Sequence, residues 1–212
     1  MTTLAIMKAR IADELARSDL TSQIAYAISD AIGAYNNERF HFNETRSNTF
    51  STVADQEFYG VSDAAFIGTM NVIDYVYAYN GNQPYRLMPE TPSAMESFSL
   101  NGSYRGQPWN YCWYGNQVRL YPTPDQAYTI RMAGSIKSAE PATDAETSNP
   151  WMTHAGRLIR ARAKLELALH VLKDPDLATT MNAAVMDAFE DLKSETNQIT
   201  QIERGRVRAM AF

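Results

Sequence analysis

The sequence predicts an α+β protein in which a helical bundle is interrupted by an inserted antiparallel β domain. Three observations predict this class. Apolar residues recur every three or four positions near both ends of the chain, they alternate every two positions in the middle, and 18 of the 23 aromatic residues fall between residues 40 and 137. The first pattern is typical of helices packed on one face, and the second is typical of strands.

The N-terminal residues predict a helical hairpin. An apolar stripe from Leu4 to Leu15 marks the first helix, and a second stripe runs from Ile24 to Tyr35. The polar pair Ser18-Asp19 breaks the periodicity between them.

The aromatic-rich segment predicts two β-hairpins. Residues 72–79 alternate before the turn signal Asn80-Gly81, and residues 83–88 follow as the partner strand. Residues 109–114 and 117–121 flank a second signal, Gly115-Asn116. We expect a further strand at 127–132 to continue this second hairpin as a three-stranded meander.

Weaker signals lie around these hairpins. Residues 49–53 and 57–59 predict an earlier strand or short pair. Residues 91–98 predict a short helix that Thr91 caps, with Pro92 at its first position.

The C-terminal part predicts two more helices. Leu158 to Leu172 and Leu177 to Leu192 carry helical stripes, and Lys173-Asp174-Pro175 separates them. We therefore expect the N- and C-terminal hairpins to form one four-helix bundle. The expected domains are a bundle of residues 1–40 and 151–202, a β domain at 41–137, a polar connector at 138–150 and a C-terminal docking tail at 203–212.

Composition excludes several classes of protein. The net charge of −5 argues against a dedicated nucleic-acid binder, and the single Cys112 excludes a disulfide framework or a multi-cysteine zinc site. We interpret Cys112 as a small strand hydrophobe. Without a signal peptide pattern or a long apolar run, we expect a soluble protein made in a cytoplasm.

The sequence contains no phosphate loop, dinucleotide fingerprint, nucleophile elbow or metal-binding helix motif. We therefore predict no catalytic residue, no cofactor and no metal site. His41 and His154 are expected to come close together, and His170 to complement a helix C-terminus. Asp55 with Glu57 or Asp74 would suit glycan hydrolysis only if two carboxyls converged across a cleft, and ordinary solvated acids are the alternative.

Two aromatic rows fall on predicted strands. Tyr75, Tyr77 and Tyr79 share one strand face, and because tyrosine is favoured at protein interfaces, we expect a subunit contact there. Trp109, Tyr111 and Trp113 share another face, which either fills the β core or forms a platform for sugars or bases.

Two basic segments are candidate interaction sites. Arg157, Arg160 and Lys164 share one helix face, which is either solvated or faces an acidic neighbour subunit or DNA in a pore. The last residues alternate basic and apolar side chains, which suits an extended segment that docks on another chain. The tail residues are Arg204, Arg206, Val207, Arg208, Met210 and Phe212.

This layout resembles the head-to-tail adaptor proteins of short-tailed bacteriophages, the tail tubular protein A and SU-type adaptor group. The likeness covers nearly the whole chain and consists of framework patterns. It is carried by Met7–Leu15, Arg39–Thr45, Arg105–Pro108, Gln117–Pro122 and Leu158–Lys164.

The resemblance implies a virion structural protein and not an enzyme. It implies a ring, a dodecamer in the virion, that joins the portal protein to the tail nozzle protein in the neck and extends the DNA channel. DNA would pass without sequence-specific binding, no membrane would be involved, and assembly would take place in the host cytoplasm. The resemblance is also compatible with a monomeric state of the isolated chain.

The resemblance also assigns roles to the basic segments. By matching position, residues 203–212 become a portal-docking tail, and Arg157, Arg160 and Lys164 become a channel or subunit-contact face. The alternatives are a virion-associated peptidoglycan-degrading enzyme and a glycan-binding module that uses the aromatic face of the β domain.

Overall fold

A computed structural model of the chain describes residues 2–99 and 104–203. The chain divides into two compact units. Glu44–Lys137 forms one of them, and the described residues before and after this segment form the other. The described part contains six α-helices and a curled seven-stranded sheet, so the predicted α+β class is confirmed.

The helical unit contains both predicted hairpins. Its N-terminal pair is α1 (Leu4–Glu14) and α2 (Thr21–Tyr35), and its C-terminal part contains α4 (Pro150–Thr153), α5 (Gly156–Glu166) and α6 (Pro175–Glu203). We label the helix of the other unit α3 (Pro92–Ser99). The helix starts have side-chain caps where the sequence offers them: Thr3 accepts a hydrogen bond from the Ile6 amide, and Asn149 from the Trp151 amide.

A π-helical turn lies between α5 and α6. It spans Leu167–Leu172 and ends at Lys173, whose backbone is left-handed with φ of 53°. The Lys173-Asp174-Pro175 stop signal is therefore confirmed, although the preceding turn is wider than the predicted α-helix.

The core of the helical unit lies around α5, which contacts α1, α2 and α6. Trp151 is fully buried, and its indole nitrogen donates a hydrogen bond of 3.1 Å to the Ser138 carbonyl. The Trp151 and Phe40 rings meet edge to face at a centroid distance of 6.2 Å. Such aromatic pairs contribute about 0.5–1.5 kcal/mol beyond the burial of their apolar area.

The polar connector packs along the first hairpin. Lys8 forms a 2.7 Å ion pair with Asp144, and the Ser29 hydroxyl donates a hydrogen bond to Glu140. Two of the three acids in the connector therefore have a partner on α1 or α2.

The other unit is a sheet with the strand order β1-β7-β3-β4-β5-β6-β2. Its pairs are antiparallel except β4 with β5, which run parallel over two residues each. A parallel neighbour needs a crossover, and the connection that contains α3 supplies it. The strands are β1 (Glu44–Ser51), β2 (Phe58–Tyr59), β3 (Met70–Asn80), β4 (Gln83–Pro89), β5 (Asn110–Tyr114), β6 (Gln117–Tyr121) and β7 (Thr129–Ile136).

Both predicted hairpins are confirmed. β3 and β4 join through a tight turn at Gly81, whose φ is 58°. β5 and β6 join through Gly115 and Asn116, whose φ values of 60° and 59° fit the turn type that favours these two residues. The short helix is confirmed too, because the Ala94 amide donates to the Thr91 hydroxyl at the start of α3.

The predicted meander is wrong. β7 pairs with β1 and β3, and β6 pairs with β5 and β2. Alternation shows which face of a strand is apolar but does not identify its neighbours. Ile130 and Met132 of β7 complete one core with Val76 and Ala78 of β3, and this packing fixes the pairing.

Cys112 is a buried free cysteine on β5, as predicted, and burial raises the pKa of its thiol. Among the described residues, no helix combines the length and the apolar character needed to cross a membrane.

Candidate interaction surfaces

The tail prediction lies outside the described residues. The last helix, α6, ends at Glu203, and Arg204, Arg206, Val207, Arg208, Met210 and Phe212 follow it.

The basic face of α5 meets acids of its own chain. Arg157 reaches Asp187 and Asp191 of α6 with two different guanidinium nitrogens. Lys164 contacts Glu14 of α1 at 2.7 Å, and the Arg160 Nε lies 3.5 Å from the same carboxylate.

These ion pairs fix how much positive charge the face presents. The Arg157 side chain is 58% exposed, while that of Lys164 is 15% exposed. The three cations therefore present a partly neutralised surface, in which Arg157 is the most accessible member.

The tyrosine row lies on the side of β3 that faces away from the β core. Val76 and Ala78 are buried, so the alternating positions Tyr75, Tyr77 and Tyr79 occupy the opposite face. The Tyr75 and Tyr77 rings meet edge to face at a centroid distance of 5.4 Å.

Two arginines from neighbouring strands join this row. Tyr77 lies opposite Arg86 of β4 on one side and Arg131 of β7 on the other. The Arg131 guanidinium lies over the Tyr77 and Tyr79 rings, 5.5 Å and 5.4 Å from their centroids. Neither arginine is recognisable from the sequence as part of this face, because its membership depends on the strand order.

The two histidines expected to come together do so. His41 Nε2 lies 3.4 Å from His154 Nδ1, and the Phe42 ring stacks on the His154 ring. No group of three or more His, Cys, Asp or Glu side chains that could hold a metal ion occurs within residues 2–99 and 104–203. This cluster is a packed aromatic contact with one shared hydrogen bond.

The third histidine, His170, lies in the π-helical turn. Its Nε2 is 3.3 Å from a Glu166 carboxylate oxygen, one helical turn earlier. A local partner therefore accounts for its position near the end of the helix.

Two of the three acids considered for hydrolysis, Asp55 and Glu57, form ion pairs with arginines. Asp55 contacts Arg105 at 2.7 Å, and Glu57 contacts Arg119, which also bridges to Glu96 on α3. The Arg119 guanidinium is buried between these two carboxylates, so it joins the loop before β2 to α3. This geometry is that of a structural ion-pair network.

The second aromatic row is divided between core and surface. Tyr111 is only 6% exposed, and Trp113 packs against the same β core. Trp109 precedes β5 and is 55% exposed. A single accessible ring does not make the three-ring platform that sugar stacking would use.

Comparisons with known proteins identify the family of the chain. The profile of the family described as SU10 adaptor protein matches residues 2–210. A search of curated proteins found no matching relative. Since the family match covers nearly the whole chain, the protein belongs to the SU10 adaptor protein family of bacteriophage structural proteins.

Proposed function

We propose that this protein is a head-to-tail adaptor that assembles as a ring, joins the portal protein to the tail nozzle protein and extends the DNA channel. The observation that carries this proposal is the family match over residues 2–210. The family is one of structural adaptors and not an enzyme class. The site of action is the neck of the virion, after assembly in the host cytoplasm.

Within this role we assign a task to each part of the chain. Residues 1–40 and 151–202 act as one rigid four-helix bundle that packs into the ring. The inserted β domain, residues 41–137, carries the tyrosine row as a subunit contact. Support for a rigid bundle comes from the continuous buried core that α1, α2, α5 and α6 share.

The C-terminal tail is the proposed portal anchor. It carries three arginines and ends on Phe212. Transfer of phenylalanine and methionine side chains from water into an apolar environment lowers the free energy, so burial on a partner would stabilise the docked tail. The ordering of such a segment costs conformational entropy, which keeps the docking reversible until the ring adds further contacts.

The basic face of α5 is the proposed channel or subunit-contact face. Its cations already contact Glu14, Asp187 and Asp191, so passing DNA would meet few free positive charges. Weak phosphate binding suits a channel through which DNA must slide.

The alternatives gain no specific support. Asp55 and Glu57 each contact an arginine, and Tyr111 lies in the core. Neither arrangement favours glycan hydrolysis or glycan binding.

The experiment that tests the proposal is to mix the protein with the portal protein from the same genome. Size-exclusion chromatography and negative-stain imaging would then show whether stacked rings form. We expect rings with the full chain and their loss when residues 203–212 are deleted. Absence of any complex over a range of salt and protein concentrations would refute the adaptor role.

A matched pair of substitutions distinguishes specific anchoring by the tail from nonspecific binding through exposed aromatic rings. Phe212→Ser removes the terminal aromatic ring, and Tyr26→Ser removes a ring that is 70% exposed on α2. We expect only Phe212→Ser to weaken portal binding. Equal effects of both substitutions would contradict the assignment of the tail.

A further inference from the structure

The tyrosine row and its two arginines form one continuous surface, which we call the Tyr–Arg face. It consists of Tyr75, Tyr77 and Tyr79 of β3, Arg86 of β4 and Arg131 of β7. Arg86, Tyr77 and Arg131 lie side by side in one row across three strands. Tyrosine and arginine are two of the residue types enriched at protein interfaces.

The arginines of this face differ from the others in the β unit. Arg46, Arg105 and Arg119 each contact a carboxylate. Arg86 and Arg131 form no ion pair with any residue that the structure describes, and the shielded Arg131 Nε has no hydrogen-bond acceptor there. The face therefore presents two cations whose anionic partners are missing from the described part of the chain.

The distance between the two arginines determines how far apart the carboxylates of a partner must lie. They stand on strands that flank β3, so two strand spacings separate them, about 10 Å. A partner that satisfies both must present carboxylates over a similar distance. A helix with acids on neighbouring turns meets this requirement, since each residue advances the helix by about 1.5 Å.

The chain itself carries such a helix. α6 contains six acids and one lysine. Four of the acids are exposed and close in sequence, and we call them the acidic ridge: Asp187, Glu190, Asp191 and Glu195. The ridge extends over about 12 Å of helix.

The ridge retains negative charge within its own copy. Arg157 contacts Asp187 and Asp191, whereas Glu190 and Glu195 form no ion pair with any described residue. Met186, beside the ridge, is 57% exposed and offers an apolar, sulfur-bearing contact for an aromatic side chain.

We propose that the Tyr–Arg face of one copy binds the acidic ridge of the next copy. The two surfaces differ, so the contact is heterologous, and repetition of a heterologous contact closes a ring when its rotation allows. This inference rests on the proposed ring-forming adaptor role and names the surfaces that would build the ring.

Nucleic acid fits the Tyr–Arg face less well than an acidic protein surface. Arg131 lies over the Tyr77 and Tyr79 rings, so those faces are not open for base stacking. Two cations also neutralise few phosphates, and the affinity for nucleic acid grows with each phosphate contact.

Charge reversal tests the contact in the full chain. Arg86→Glu with Arg131→Glu reverses both cations of the face, and Glu190→Lys with Glu195→Lys reverses the two members of the ridge that Arg157 does not contact. The quadruple variant carries both reversals and restores opposite charges across the interface. Arg10→Glu with Lys173→Glu is the matched control, because it makes the same charge change as the face variant at exposed sites elsewhere. Circular dichroism and thermal unfolding establish that each variant is folded.

Two measurements decide the outcome. Rings on the portal are counted by negative-stain imaging, and self-association of the chain alone is measured by sedimentation at low salt. We expect each double reversal to weaken assembly about tenfold or more, the quadruple variant to recover it and the control to match wild type. Folded double variants that assemble like wild type would overturn the inference, as would a folded quadruple variant that stays unassembled.

The design separates this inference from the proposed function. If the wild-type chain does not bind the portal, the adaptor role fails, and the sedimentation series alone judges the interface. Absence of charge-dependent self-association then overturns the interface as well. Binding of a single-stranded and of a duplex DNA probe is measured as well. If Arg86→Glu/Arg131→Glu loses probe binding but still forms rings like wild type, the face binds nucleic acid and the inference is overturned.

Discussion

Gly134 lies where two strands come closer than a side chain allows. It is opposite Ile73 in the β3–β7 ladder, beside the irregular register between Met70 and Tyr75. A Cβ atom added at Gly134 would lie 1.9 Å from the Val72 carbonyl oxygen and 3.1 Å from the Ile73 Cα. Both of these are backbone atoms, so no side-chain rotation can relieve the contact. We therefore expect Gly134→Ala to destabilise the β unit.

The size of the effect follows from this geometry. An ordinary Cβ contact begins at about 3.4 Å, so β3 and β7 would have to separate by about 1.5 Å at this point. Overpacking of this kind costs about 1–3 kcal/mol. Loss of one or two ladder hydrogen bonds adds about 0.5–1.5 kcal/mol each. We expect Gly134→Ala to lower the free energy of unfolding by about 2–5 kcal/mol.

Gly33→Ala is the matched control. Gly33 lies in α2, and an added Cβ there meets no atom within 4 Å. Alanine is preferred over glycine inside helices by about 1 kcal/mol, so this variant is expected to be slightly more stable than wild type.

Urea unfolding followed by circular dichroism compares both variants with wild type. Intrinsic tyrosine and tryptophan fluorescence adds a second probe, since most aromatic residues belong to the β unit. A Gly134→Ala protein as stable as wild type would refute the reasoning, because it would mean that β3 and β7 do not approach as closely as described.

Three further predictions concern single side chains. Trp151→Phe removes the indole donor to the buried Ser138 carbonyl, so we expect a loss of about 1–3 kcal/mol in urea unfolding, and unchanged stability would contradict this packing. Burial raises the pKa of Tyr85 to about 12, so the folded state favours the neutral phenol. The contribution of this preference to the free energy of unfolding is fully present below about pH 10 and decreases as the pH rises toward 12. Tyr85→Phe should therefore lose less stability than wild type between pH 10 and 12 in unfolding series, and parallel pH profiles would contradict this. Arg157→Ala removes exposed ion pairs, so we expect a loss of less than about 1 kcal/mol that vanishes at high salt, and a larger, salt-independent loss would show a different role.

Local chemistry made most elements of the fold predictable from sequence. Gly115-Asn116 predicts its hairpin because these two residues adopt positive φ values readily, and Thr91 with Pro92 predicts a helix start for a similarly local reason. The placement of β7 between β1 and β3 was not predictable, because the choice of neighbours depends on how Ile130 and Met132 pack in the common core.

The same distinction applies to the candidate surfaces. The tyrosine row was visible as a period of two within one strand. Arg86 and Arg131 were not visible as its companions, since each belongs to a different strand and joins the row only through the register. Arg157, Arg160 and Lys164 were predicted to share a face, but Glu14, the partner of Arg160 and Lys164, lies about 150 positions away from Lys164 in sequence.

The distribution of ion pairs connects stability with the proposed assembly. On α5 the cations contact acids of the same copy, so this face contributes to the fold and presents little free positive charge to passing DNA. On the Tyr–Arg face the cations have no such partners among the residues that the structure describes, so their electrostatic attraction is available to another molecule. If the proposed ring is correct, low salt should strengthen its assembly while it changes the stability of each copy only slightly, because the contacts between copies depend more on charge than the apolar cores do.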